Sequence, residues 1–213
     1  MQIITISGVD GSGKSTQAQR LIDDYEQRGK KVYYLHAVAF SVAQQLLKPS
    51  AGTATCHSGS SASLRKQNAD TGLSRTRASW LAVLLRKVAL AIDLVRFRFL
   101  VRRLARQGYD VLISDRFFFD TVVNIRYLAR TERVGVLERL VPRVDYALFF
   151  AIEPDAIMQR SRAPEQGGDY LRAKTALFAA RKDVWQMHTV NADQTPDAVF
   201  AEVLRVLEHP HNS

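Results

Sequence analysis

The stretch SGVDGSGKSTQ, residues 7–17, decides how the rest of the chain is read. Gly8, Gly13, Lys14 and Ser15 satisfy the spacing G-x-x-x-x-G-K-[ST]. The stretch also stands where that spacing has a mechanism, after the alternating run QIITIS and before an amphipathic segment. Gly8, Gly11 and Gly13, with Ser12 between them, let backbone N–H groups curl around phosphate oxygens, and a helix beginning at Lys14 adds the positive end of its dipole. Lys14 is placed to reach the β- and γ-phosphates, Ser15 to put its hydroxyl on Mg²⁺, and Thr16 to complete the cradle. The expected occupant is a nucleoside triphosphate with its magnesium ion.

Outward from this stretch the pattern alternates. A strand is expected over residues 3–7, a helix over 14–28 closed by Gly29, and a second strand over 31–35. Residues 49–77, which include SAGTATCHSGSSAS, are rich in Ser, Thr, Gly and Ala without periodicity and read as a flexible insertion. Cys56 and His57 fall inside it with no second ligand pair, so no metal site is expected there. Further strands are expected at YDVLISDR, at residues 146–153 and at HTVNA, with helices over 120–130, 134–140, 154–161, 170–187 and 196–207. Repeated strand-then-helix units predict one α/β domain over residues 1–213, with a parallel sheet of about five strands and helices on both faces.

Residues 80–101, WLAVLLRKVALAIDLVRFRFLV, form the longest apolar run. Arg86, Lys87, Asp93, Arg96 and Arg98 interrupt it, and each charge at mid-bilayer costs roughly 2.5–3.5 kcal/mol, so no transmembrane segment is expected. Leu81, Leu84, Val88, Ile92, Val95 and Phe99 make one stripe at helical spacing, widened by Leu90, Leu94, Val101 and Leu104. This predicts a helix sandwiched in the core. Arg98, Arg102, Arg103 and Arg106 gather at its end, where they complement the helix dipole; peripheral contact with acidic lipid stays open.

A chain of 213 residues, 46% hydrophobic, with a net charge of +9, can bury a full core and favours an anionic partner. One cysteine and an N-terminus without a signal-like segment lead to the expectation of a cytoplasmic protein. No face interleaves aromatic with basic residues, so stable nucleic-acid binding is not expected. Among users of such a phosphate loop, switch GTPases are disfavoured by the lack of an N-K-x-D segment, and mechanical ATPases by the small size. Asp115 followed at once by Arg116, at the end of a core strand, favours a small-molecule kinase.

Four segments in order resemble thymidylate kinase and related P-loop nucleoside-phosphate kinases: GVDGSGKSTQ, VLISDRFFFDT, PDAIMQRSRAPEQGGDYLR and HTVNADQTPDAVFAEVLRVL. The resemblance implies a three-layer P-loop NTPase fold with a small lid over residues 160–172, and transfer of the ATP γ-phosphoryl group to dTMP or a similar nucleotide with Mg²⁺. It implies that Asp115 orients the metal or the acceptor, that Arg116 grips the acceptor phosphate, and that Asp10 accepts a hydrogen bond from an acceptor sugar hydroxyl. Residues 9–12 hold no arginine, so Arg160, Arg162 and Arg172, flanking Gly167 and Gly168, are expected to meet charge on the transferred group. Arg172 paired with Asp169 is the ordinary alternative. Asn191, Ala192 and Gln194 stand where relatives place the adenine ring, and relatives are usually homodimers.

The acceptor half departs from that pattern. LHAVAFSVAQQLLKPS replaces the Arg-Glu-Pro-Gly-Gly-like stretch after the second strand, and AIDLVRFRF offers Asp93 and Leu94 near the expected base-facing arginine. Arg96 or Arg98 is the candidate substitute, with Phe97 and Phe117 as stacking or core residues. A kinase with another acceptor (a nucleoside, sugar derivative or lipid-linked alcohol) is therefore the second expectation. A non-catalytic nucleotide- or nucleic-acid-binding protein is the third.

Overall fold

The computed structural model describes residues 1–42, 80–130, 135–159 and 167–208. In chain order these form β1 (Gln2–Gly8), α1 (Lys14–Gln27), β2 (Val32–His36), α2 (Ala37–Phe40), α3 (Trp80–Arg106), β3 (Val111–Asp115) and α4 (Phe118–Ala129). They continue as α5 (Val136–Arg139), β4 (Tyr146–Ala151), α6 (Pro154–Met158), α7 (Gly167–Ala179), β5 (Met187–Asn191) and α8 (Pro196–Glu208). The insertion read at 49–77, and Arg160 and Arg162 of the lid segment, lie outside the described residues.

The five strands make one sheet in the order β2-β3-β1-β4-β5, parallel throughout. Alternation along each strand divides the core in two. Ile4, Ile6, Ile113, Leu148 and Phe150 face α1 and α8, where Ala18, Leu21, Val199 and Val203 meet them. Leu112, Ala147 and Phe149 face the other way, onto Leu90, Leu94 and Phe97 of α3 and Val122 and Val123 of α4. Both sheet faces are thus covered, which is the three-layer α/β arrangement of P-loop NTPases expected from the sequence. Strand order reverses about β1, so the carboxyl ends of β1 and β3 open onto a crevice at the topological switch point, where ligands bind in open α/β sheets. Register puts Ile6 level with Asp115, and Asp115 level with His36.

Two readings from periodicity are corrected. The stripe of Leu84, Val88, Ile92, Val95 and Phe99 is not sandwiched: together with Leu85 these side chains are 44–64% exposed. α3 packs instead through Ala89, Leu90, Asp93, Leu94, Phe97 and Leu104. The helix is apolar nearly all round, so spacing alone could not choose its inner face. Asp93 can be buried because its carboxylate accepts the Val42 N–H at 3.0 Å and an Arg96 Nη1 hydrogen at 3.0 Å.

The helix read over 170–187 begins at Gly167 and stops at Ala179. Turns follow, and Gln186, at φ 51°, closes them as the Met187 N–H donates to the Lys182 carbonyl at 2.8 Å. This left-handed closure normally falls to glycine or asparagine, which is why the sequence hid it. Met187 then opens β5.

Candidate functional site

The phosphate loop is built as its glycines require. Gly8, at φ 146°, lies so close to β4 that a Cβ there would stand 2.9 Å from the Phe150 carbonyl oxygen. Gly13, at φ 87°, is the N-cap of α1 in the left-handed region. No side chain caps α1, and no acidic residue occupies its first turn, so its leading N–H groups are free to meet an anion. Lys14 is buried and donates to the Val9 carbonyl at 2.6 Å and to Ser12 Oγ at 3.3 Å. Burial, reinforced by the Arg116 charge, pushes its pKa down to about 8. Exposed Ser15 and Thr16 follow in the first turn.

At the end of β3, Asp115 faces that turn. Its Oδ2 accepts the Ser15 hydroxyl at 2.5 Å and the Tyr34 hydroxyl at 3.3 Å, while its Oδ1 is buried without a hydrogen-bond partner. Burial and the adjacent carboxylate push the Tyr34 pKa up to about 12. An orphaned carboxylate oxygen beside a serine hydroxyl offers the oxygen ligands that suit a hard divalent cation. Ser15 and Asp115 are thus residues that could hold such a cation. Among the described residues no cluster of three or more His, Cys, Asp or Glu forms a separate metal centre.

Beyond the loop lies a cavity of about 460 Å³, lined among others by Asp10, Arg86, Arg116, Asp120, Tyr170 and Lys174. Arg116 enters it because its backbone turns left-handed, at φ 66°, with its N–H held by the Ile6 carbonyl and its carbonyl held by the Ser114 hydroxyl. Its guanidinium pairs with Asp10. For Arg116, burial opposes the charge, but Asp10, Asp120 and Asp115 outweigh it and raise the pKa. For Asp10, burial works upward, but Arg116, Lys14 and Lys174 pull the pKa below the ordinary carboxylate value. Asp120 accepts the Phe117 N–H at 3.0 Å and so fixes the start of α4.

The residues expected at the acceptor side divide. Arg116 and Asp10 line the cavity, whereas Arg96 does not. Arg96 lies over the Phe40 ring and donates to the Phe40 carbonyl at 2.9 Å and to Asp93 at 3.0 Å, binding α2 to α3. Arg98 is exposed, and Arg86 and Leu90 are the α3 residues that line the cavity. Phe97 and Phe117 are each 1% exposed and pack edge-on at 5.3 Å, so both are core residues. Arg172 pairs with Asp155 at 2.9 Å and with Asp169 at 3.0 Å, the ordinary alternative to a lid role. Gln194 donates to the Asn191 carbonyl and to Glu202, shaping the turn after β5.

Tyr34, Arg86, Tyr170 and Lys174 are the site residues that sequence reasoning missed. No local pattern in the sequence singles them out.

No protein-family model matches the chain. The chain is similar to the thymidylate kinase of Thiobacillus denitrificans (strain ATCC 25259 / T1), 28% identical over 224 aligned residues. The alignment takes in 97% of this chain and 96% of that protein, so the likeness is not confined to the phosphate loop.

Proposed function

We propose that the chain is an ATP-dependent nucleoside monophosphate kinase of thymidylate kinase type, moving the ATP γ-phosphoryl group to dTMP or a similar nucleotide. The observation that carries this reading is the adjacency of two half-sites. An uncapped phosphate loop with a buried lysine stands on one side of Asp115, and a cavity that Arg116 lines stands on the other. The likeness to a thymidylate kinase over nearly the whole chain supports it.

Phosphoryl transfer asks little covalent work of a protein; it needs alignment and neutralised charge. In this reading the loop amides and Lys14 grip the β- and γ-phosphates, and Lys14 exchanges its contacts with Val9 and Ser12 for phosphate oxygens. Arg116 holds the acceptor phosphate in line, and Asp10 both orients Arg116 and accepts an acceptor hydroxyl. Arg160 and Arg162 are assigned to the charge that builds on the transferred group. Mg²⁺, when bound, spreads the negative charge of the β- and γ-phosphates, and Ser15 and Asp115 are assigned to hold it.

One observation favours a second reading, a kinase on the same scaffold with another acceptor: α3 spends Arg96 on Phe40 and Asp93 rather than on the cavity. A coupled assay of ADP release over nucleoside monophosphates, nucleosides, sugar derivatives and polyprenols, with Lys14→Ala as the blank, separates the two. Turnover with dTMP supports the first reading; turnover with only another acceptor replaces it with the second.

The reading includes a homodimer. Leu84, Leu85, Val88, Ile92, Val95 and Phe99 expose one continuous helical face about 22 Å long, with Arg102, Arg103 and Arg106 beyond it. A second copy laid antiparallel covers the apolar stretch while setting the two cationic ends apart, whereas parallel packing stacks like charges. Among the described residues no helix is long and apolar enough to cross a membrane.

A further inference from the structure

Lys174 is a largely buried residue whose ammonium finds no acceptor among the described residues. Its residue is 6% exposed, and among the described residues its Nζ makes no hydrogen bond or ion pair; it lies over the Tyr170 ring, 4.6 Å away on the preceding turn of α7. Burying a lysine without an acceptor is costly, and structures keep one where a ligand completes it. The side chain lines the cavity that also holds Arg116. There Arg116 is already engaged by Asp10, and Asp120 is engaged by the Phe117 N–H.

Asp10, Asp120 and Arg116 act electrostatically on Lys174, and the same three act on Lys14 of the phosphate loop. Lys174 thus shares its charged surroundings with the loop lysine. The cavity's named charged groups are three cations, Arg86, Arg116 and Lys174, against two carboxylates, Asp10 and Asp120. Lys174 thus adds to Arg116 a second cation from which an anionic guest can be held.

We propose that Lys174 is a specificity residue that binds the phosphate monoester of the acceptor together with Arg116, so that the site selects acceptors that already carry a phosphate over neutral alcohols. The inference rests on the kinase reading above and narrows its acceptor class. Consistent with it, burial presses the Lys174 charge downward and the carboxylates of Asp10 and Asp120 only partly restore it, as expected of a cation awaiting a counter-ion. The Tyr170 ring under the ammonium favours its charge without competing as a full anion.

The test uses the full chain with its phosphate loop saturated by a non-hydrolysable ATP analogue. Calorimetric titrations compare dTMP, thymidine and inorganic phosphate on the wild type, Lys174→Met and Lys174→Arg. The expected result is a loss of about ten- to a hundredfold in affinity for dTMP and for inorganic phosphate in Lys174→Met. Thymidine and the ATP analogue should bind Lys174→Met as they bind the wild type, and Lys174→Arg should stay within a few-fold of it. Equal losses for dTMP and thymidine, no loss for either phosphate ligand, or a wild type that binds no phosphate ligand overturns the proposal. A wild type that rejects dTMP yet binds inorganic phosphate through Lys174 overturns the dTMP reading alone and leaves the role of Lys174 standing.

Discussion

Ser15, in the first turn of α1, and Asp115, the last residue of β3, meet with Oγ to Oδ2 at 2.5 Å, although a hundred positions separate them in the chain. The contact joins the phosphate loop to the strand end that carries Arg116. It also leaves Asp115 Oδ1 buried and unpaired.

Asp115→Asn keeps an oxygen for the Ser15 hydroxyl but removes the charge. The expected outcome is a fall of about ten- to a hundredfold in kcat with a raised Mg²⁺ requirement. The denaturation midpoint should hardly move. Steady-state kinetics over a magnesium titration, paired with urea unfolding, check both halves; unchanged magnesium dependence removes Asp115 from the metal role.

Lys14 gives a pH dependence with a definite sign. Its free-state pKa is about 8 because burial disfavours the charge, whereas a bound polyphosphate favours it. Below pH 8 the lysine is already charged and affinity for an ATP analogue should be flat. Above pH 8 binding must take up a proton, and affinity should fall by up to about tenfold per pH unit. The stability of the free protein runs the other way. The unfolded lysine holds its proton to about 10.5, so the unfolded chain binds more protons between about 8 and 10.5 and stability rises with pH in that window. Titrations at several pH values, repeated on Lys14→Met, should lose both slopes in the variant.

The exposed face of α3 makes the assembly testable. Val95→Asp with Phe99→Asp places two charges where a second copy packs, and both residues are more than half exposed, so the fold should survive. Light scattering after size exclusion should show a dimer for the wild type and a monomer for the variant, with circular dichroism unchanged. A monomeric wild type ends the dimer proposal.

How far the sequence carried the account differs from place to place. Gly8 and Gly13 were legible because a backbone that closes on phosphate admits few other residues there, and Asp115-Arg116 because a core strand rarely ends on two charges. The exposed face of α3 was not legible: apolar side chains surround the helix, and its inner face is chosen by the pocket that satisfies Asp93. Gln186 hid the end of the α7 segment by taking a glycine's conformation. Lys174 did not stand out in the sequence, since its burial depends on how α7 lies against α4, and no local pattern encodes that.

The central claim is that the loop from Gly8 to Ser15 grasps a nucleoside triphosphate for transfer. Calorimetric titration of the purified chain with ATP and Mg²⁺ tests it most directly. Saturable one-to-one binding that weakens by about thirtyfold or more in Lys14→Ala is the predicted result. A wild type that binds neither ATP nor GTP, or a Lys14→Ala variant that binds as tightly as the wild type, contradicts it.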